Sequence, residues 1–153
     1  MDMPAPERIG ADLRTNRILW LAIVMGVVLL VAVMVFLTSS GSGGTMEDGS
    51  LFFYLNAAIS LGAIAAAFAI QRNLTDQLPK AGTYDEAAML IRQRGLIAIA
   101  LMEASAFFAA IAAFLTGELI NLAFVVPFFA FAYLFFPTEA KYLYWLSLWR
   151  GER

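Results

Sequence analysis

The chain has 153 residues, 61% hydrophobic and 14% charged, with ten Lys and Arg against twelve Asp and Glu and a net charge of -2. A water-soluble domain is about half apolar and a quarter charged, and a single core of this size cannot hide so much apolar surface, so the composition predicts an integral membrane protein. The absence of His and Cys excludes His-ligated haem, iron–sulfur clusters, ordinary zinc or copper sites, thiol nucleophiles and disulfides, and the charge is too small to point to nucleic acid.

Four apolar stretches approach the roughly 20 helical residues that cross a hydrocarbon core of about 30 Å. The first, Ile18 to Leu37, is rich in Val, Leu and Ile. It is longer than the apolar region of a signal peptide and no A-x-A cleavage site follows it, so it reads as a span. The next segment contains Ser39-Ser40-Gly41-Ser42-Gly43-Gly44, whose composition predicts a flexible connector. Span two runs from Leu51 to Ile70 and concentrates small residues around Gly62.

A polar loop, 71–94, follows. Within it Pro79-Lys80-Ala81-Gly82 reads as a turn, and Thr83-Tyr84-Asp85-Glu86 has the spacing of a capping box. Helix three is therefore expected to start near Tyr84, outside the bilayer, and to continue unbroken through span three, Gly95 to Thr116. Gly117 suits a helix C-cap. Span four, Leu119 to Phe136, follows so closely that spans three and four form a tight antiparallel hairpin. Pro127 predicts a kink in it. The segment 138–149, with Lys141, Tyr142, Tyr144, Trp145 and Trp149, has the aromatic and basic mixture of the headgroup level.

Charge orients these spans. Arg8, Arg14 and Arg17 precede span one. Arg72, Lys80, Arg92 and Arg94 lie between spans two and three, and Lys141, Arg150 and Arg153 follow span four. The opposite connections hold only Glu47, Asp48 and Glu118. Cytoplasmic loops of membrane proteins carry the excess of Lys and Arg. The fold class expected is thus all-α, one domain of four transmembrane helices with both termini cytoplasmic, in a bacterial-type inner or plasma membrane.

On span three, Ala98, Ser105, Ala109 and Ala112 fall in a narrow arc at about 100° per residue. With Gly62 they form the expected helix-packing set, because small residues let helix backbones approach in membranes. Glu103 is the one acid deep in a span. It lies about 12 Å past Gly95 by helical rise and roughly 140° from the small-residue arc. An ionised carboxylate there costs several kcal/mol unless paired, and no basic residue stands at matching depth. Glu103 is then a neutral structural acid, a proton or cation site, or a contact to a headgroup or substrate.

The run Ala100-Leu101-Met102-Glu103-Ala104-Ser105-Ala106-Phe107-Phe108 resembles the second helix of the rotor-ring proteolipid (c subunit) of rotary ATPases. The small-residue span before it and Gln71-Arg72-Asn73 resemble that family's first helix and polar loop. The resemblance covers spans two and three and implies that Glu103 takes up a proton or sodium ion. The family's dense Gly-x-Gly run is absent here, and the loop from Arg72 onwards is longer.

No nucleophile–base pair, phosphate loop or paired carboxylate is present, so neither catalysis, a cofactor nor a metal is expected. The leading functional expectation is a structural or accessory subunit in a larger membrane complex, with the bilayer and other membrane subunits or copies of itself as partners. The alternative is a proteolipid-like ion-translocating subunit that uses Glu103.

Overall fold

The computed structural model describes residues 5–46 and 49–151; Glu47, Asp48 and Arg153, which enter the charge argument, lie outside the described residues. Within them the chain is helical, with no strand. Helix α1 spans Pro6–Ser39, α2 Gly49–Gln77, α3 Tyr84–Thr116, α4 Val126–Leu134 and α5 Glu139–Trp149, with 3₁₀ turns at Leu78–Lys80 and Leu119–Val125.

Helices α1, α2 and α3 are each long and apolar enough to cross a membrane, and α4 with its preceding turn and α5 makes a fourth candidate, bent by 70°. At 1.5 Å per residue the 34 residues of α1 and the 33 of α3 reach about 50 Å, well beyond a hydrocarbon core of about 30 Å. The excess of α1 and α3 lies at the same end and, with the 78–81 connection and α5, builds a second, smaller packed layer.

Helix α3 is the hub. Half of its apolar window is buried, against 11% for α1 and 17% for α2, and both of those helices pack on α3 rather than on each other. The main core joins Trp20 and Val27 of α1, Ala67 of α2, Ile99 and Met102 of α3, and Phe128 of α4. The second core, at the basic end, joins Ile9 and Leu13 of α1 to Leu78, Tyr84, Tyr142 and Trp149. On α1 the buried positions Ile9, Leu13, Asn16 and Trp20 recur at intervals of four, three and four, which is one helical face.

Local signals set the boundaries of α3. Thr83 accepts a hydrogen bond from the Glu86 amide at 3.3 Å, and the Glu86 carboxylate accepts from the Gly82 amide at 2.7 Å. One of the donors that a helix start leaves open is thereby satisfied, and the Glu86 side chain also holds the amide just before the cap. At its other end Gly117 adopts φ 72°, the left-handed cap that a side chain disfavours.

Three segments differ from expectation. The loop 71–94 is mostly helix: α2 runs on to Gln77, leaving only 78–83 as connection. Span four is not one kinked helix. Leu119–Val125 is 3₁₀ and Pro127 stands in the first turn of α4, because proline cannot donate inside a helix and is tolerated at its start. A 3₁₀ segment of seven residues and a helix of nine still reach about 27 Å.

The Ser/Gly segment is likewise not a free connector. Its Gly44 and Met46 amides donate to the Phe114 and Leu115 carbonyls at 3.0 and 3.1 Å, so it caps the end of α3. The approach is so close that a β-carbon on Gly43 would stand 2.5 Å from the Phe114 carbonyl oxygen.

Gly43→Ala therefore forces the cap apart and should cost about 1–3 kcal/mol, as overpacking does. Gly10, mid-helix with open space around it, is the comparison: Gly10→Ala should be neutral or stabilising by up to about 1 kcal/mol. Thermal unfolding of the two variants in the same detergent checks the ordering, and equal melting temperatures would contradict it.

Candidate functional sites

Polar side chains of interest fall into three groups, two within the apolar layer and one at the basic end. The first joins α2 to its neighbours. Ser60 and Ser105 hydrogen-bond at 2.8 Å, and Asn56 Nδ2 donates to Asn121 Oδ1 at 2.7 Å. All four side chains are buried. Asn121 Nδ2 in turn donates to Thr116 Oγ1 and the Glu118 carbonyl, so the asparagine after the tight turn is also a bridge between elements. Asn56 Oδ1 has no donor among the described residues.

The expected packing residues are placed as follows. Ala98, Ser105, Ala109 and Ala112 are all buried within the bundle. Gly62 is exposed, with nothing within 4 Å of where its β-carbon would be. It lies on the side of α2 facing away from α3.

The second group is Glu103 alone. Its carboxylate is half-buried and points at α1, where a methyl group on Gly26 would stand 3.5 Å from Oε1. Among the described residues it has neither a hydrogen bond nor an ion pair. No group of three or more acidic side chains that could hold a metal occurs among those residues.

The third group gathers at the basic end. Arg8 pairs with Asp85, and Arg92 Nη2 with Asp12 at 3.2 Å. Tyr84 donates to Asp12 at 2.8 Å. Burial, and then the Tyr142 and Asp12 neighbours, push the Tyr84 hydroxyl above its usual range, so it stays a donor at neutral pH. Trp149 Nε1 donates to the Ala81 carbonyl at 2.9 Å, tying α5 to the connection between α2 and α3.

The bend between α4 and α5 belongs to the same end. A helix terminus leaves carbonyls without partners, and here side chains supply the donors. Trp20 Nε1 reaches the Ala132 carbonyl at 3.2 Å, and Arg17 Nε reaches that of Pro137 at 3.0 Å. Lys141 Nζ reaches those of Leu134 and Phe136, at 2.6 and 3.2 Å.

Between α1, α3 and the bend lies a cavity of about 420 Å³. Its polar wall carries Arg92, Arg94 and Lys141, and its apolar wall includes Trp20, Leu96 and Phe135. Arg94 stacks over the Trp145 ring at 3.6 Å and donates from Nη2 to Gln71 Oε1 at 3.0 Å. The sequence reading missed this cavity because its walls come from residues up to 129 positions apart, Asn16 and Trp145. The one available signal was the aromatic and basic mixture of 138–149.

Compared with family models, curated proteins and solved structures, the chain matches none.

Proposed function

We propose that the chain is a polytopic membrane protein that acts as a structural or accessory subunit, docked through α2 on another membrane subunit or on a second copy of itself. The outward face of α2 carries this reading. Ala58, Gly62, Ala65 and Ala69 are all exposed, at intervals of four, three and four, and so form one stripe about 180° from the buried Asn56, Ser60 and Ala67. Helix contacts in membranes use such small residues, because association there comes from close backbone approach rather than from apolarity. One small-residue face of α2 is used inside the chain, and the other has no neighbour among the described residues.

Gly62→Leu should then weaken assembly by about 1–3 kcal/mol, as a side chain forced into a close contact does, without disturbing the α2–α3 contact. Size and subunit composition of complexes extracted in mild detergent check this. An unchanged assembly would remove the support.

The topology proposed with it places both termini and the turn at Leu78–Lys80 in the cytoplasm, since Arg8, Arg17, Arg92, Arg94 and Lys141 gather at one end of the bundle and positive charge is retained on that side. Single cysteines at Ser42 and Lys80 should label from opposite sides of a sealed membrane, Ser42 from outside. Labelling of Lys80→Cys from outside would reverse the orientation.

A second reading rests on Glu103, whose carboxyl has no partner among the described residues: an exchangeable proton or sodium site, by analogy with the rotor-ring proteolipids that residues 100–108 resemble. An acid without a counter-charge in a span marks an ion pathway or a partner's contact. Glu103→Gln keeps the shape and removes ionisation, so ion-coupled transport by the native assembly should be abolished with assembly intact. Transport at the normal rate in that variant would end this reading.

A further inference from the structure

The cavity at the basic end has more positive charge than its protein partners use. Arg92 and Arg94 each spend Nη2 on one hydrogen bond. The Nε–H of both is buried without an acceptor, and neither Nη1 has an acceptor among the described residues. Lys141 spends two of its three ammonium protons on carbonyls. No carboxylate lines the cavity. Asp12, the acid paired with Arg92, is shared between Arg92 and Tyr84. A guanidinium presents a planar fork of donors that suits oxyanions, so two such forks beside an ammonium group define a site for a tetrahedral or planar oxyanion.

The rest of the wall says what carries that anion. Trp20, Leu96, Leu134 and Phe135 are apolar and lie where the apolar part of α3 begins, which gives a hydrocarbon chain a place to leave the site. The volume of about 420 Å³ falls in the range of roughly 300–1,000 Å³ typical of small-ligand sites. Basic pockets between membrane helices on the positive side take acidic headgroups. We infer that this cavity binds the headgroup phosphate of an anionic phospholipid, held between Arg92, Arg94 and Lys141, with the glycerol and the start of an acyl chain against Trp20 and Phe135. The inference stands independently of whether α2 docks on a second helix.

The purified full chain in neutral detergent micelles tests it, with tryptophan fluorescence as the readout, because Trp20 and Trp145 line the site. The titrants are phosphatidylglycerol, phosphatidylcholine and inorganic phosphate. Phosphatidylglycerol should bind at least about tenfold more tightly than phosphatidylcholine, and inorganic phosphate should fail to saturate the signal. Ala140→Glu places a carboxylate in the cavity wall at the first turn of α5, where an acid suits the helix N-terminus, so the protein should fold normally and lose the preference. Arg94→Gln should lose it as well. Lys80→Gln, which removes an exposed charge outside the cavity, should stay within about twofold of the parent. Equal binding of the two lipids overturns the inference, as does an equal loss in Lys80→Gln, which would mean diffuse surface attraction. Saturation by inorganic phosphate alone overturns the lipid as the source of the anion. If Arg94→Gln does not fold, Ala140→Glu decides alone.

Discussion

A peptide carbonyl that ends a helix and is shielded from water must find a donor within the protein. The bend between α4 and α5 concentrates that demand, since a 70° turn there breaks the helical ladder. The donors come from α1 and from α5 itself, as Trp20, Arg17 and Lys141. Three features follow from this one requirement. The N-terminal part of α1 must lie beside the bend. Two basic side chains must turn inward rather than outward. The space they frame becomes a cavity rather than a filled core.

The other organising element is α3, on which α1, α2 and α4 all pack. Ala98, Ala106 and Ala109 are fully buried, and the Ser60–Ser105 hydrogen bond crosses the contact that such residues permit. Close approach and interhelical polar pairing both hold apolar helices together, and α2 uses both on α3. Further along the same two helices, Arg94 to Gln71 continues the contact with a charged donor. The polar pairs along α2 thus run from Asn56–Asn121, which joins it to the 3₁₀ segment after α3, through Ser60–Ser105 to Gln71–Arg94 on α3.

What could be read from sequence was what depends on neighbours in the chain. The cap of α3 by Thr83 and Glu86, and its stop at Gly117, are local events and the structure has them where the residues put them. Long apolar runs identified the three candidate spans for the same reason. The fourth stretch was harder, because apolarity does not distinguish a 3₁₀ turn from an α-helix, and Pro127 looks alike as a kink or as a start. The extension of α2 through Gln71 and Thr75 carries no apolar signal; Gln71 is held there by a hydrogen bond from Arg94, which is distant in sequence. The Gly-rich segment read as free chain because its hydrogen bonds use backbone amides, which composition does not reveal. For Glu103 the wheel indicated a face away from the small residues; that this face meets Gly26 of α1 depends on tertiary placement alone. The cavity is the extreme case, its walls drawn from separate helices.

The hydrogen bonds from Trp20 and Arg17 to Ala132 and Pro137 bridge 112 and 120 residues of chain. A ribosome makes the donors first and the acceptors last. During synthesis, therefore, the indole and guanidinium of α1 are made long before the carbonyls they satisfy exist. Closure of the bend is then a late, non-local event, the kind that loop-closure entropy makes slow. A chain cut short before residue 132 lacks both acceptors, so its first helix would leave synthesis with two donors that only the complete chain satisfies.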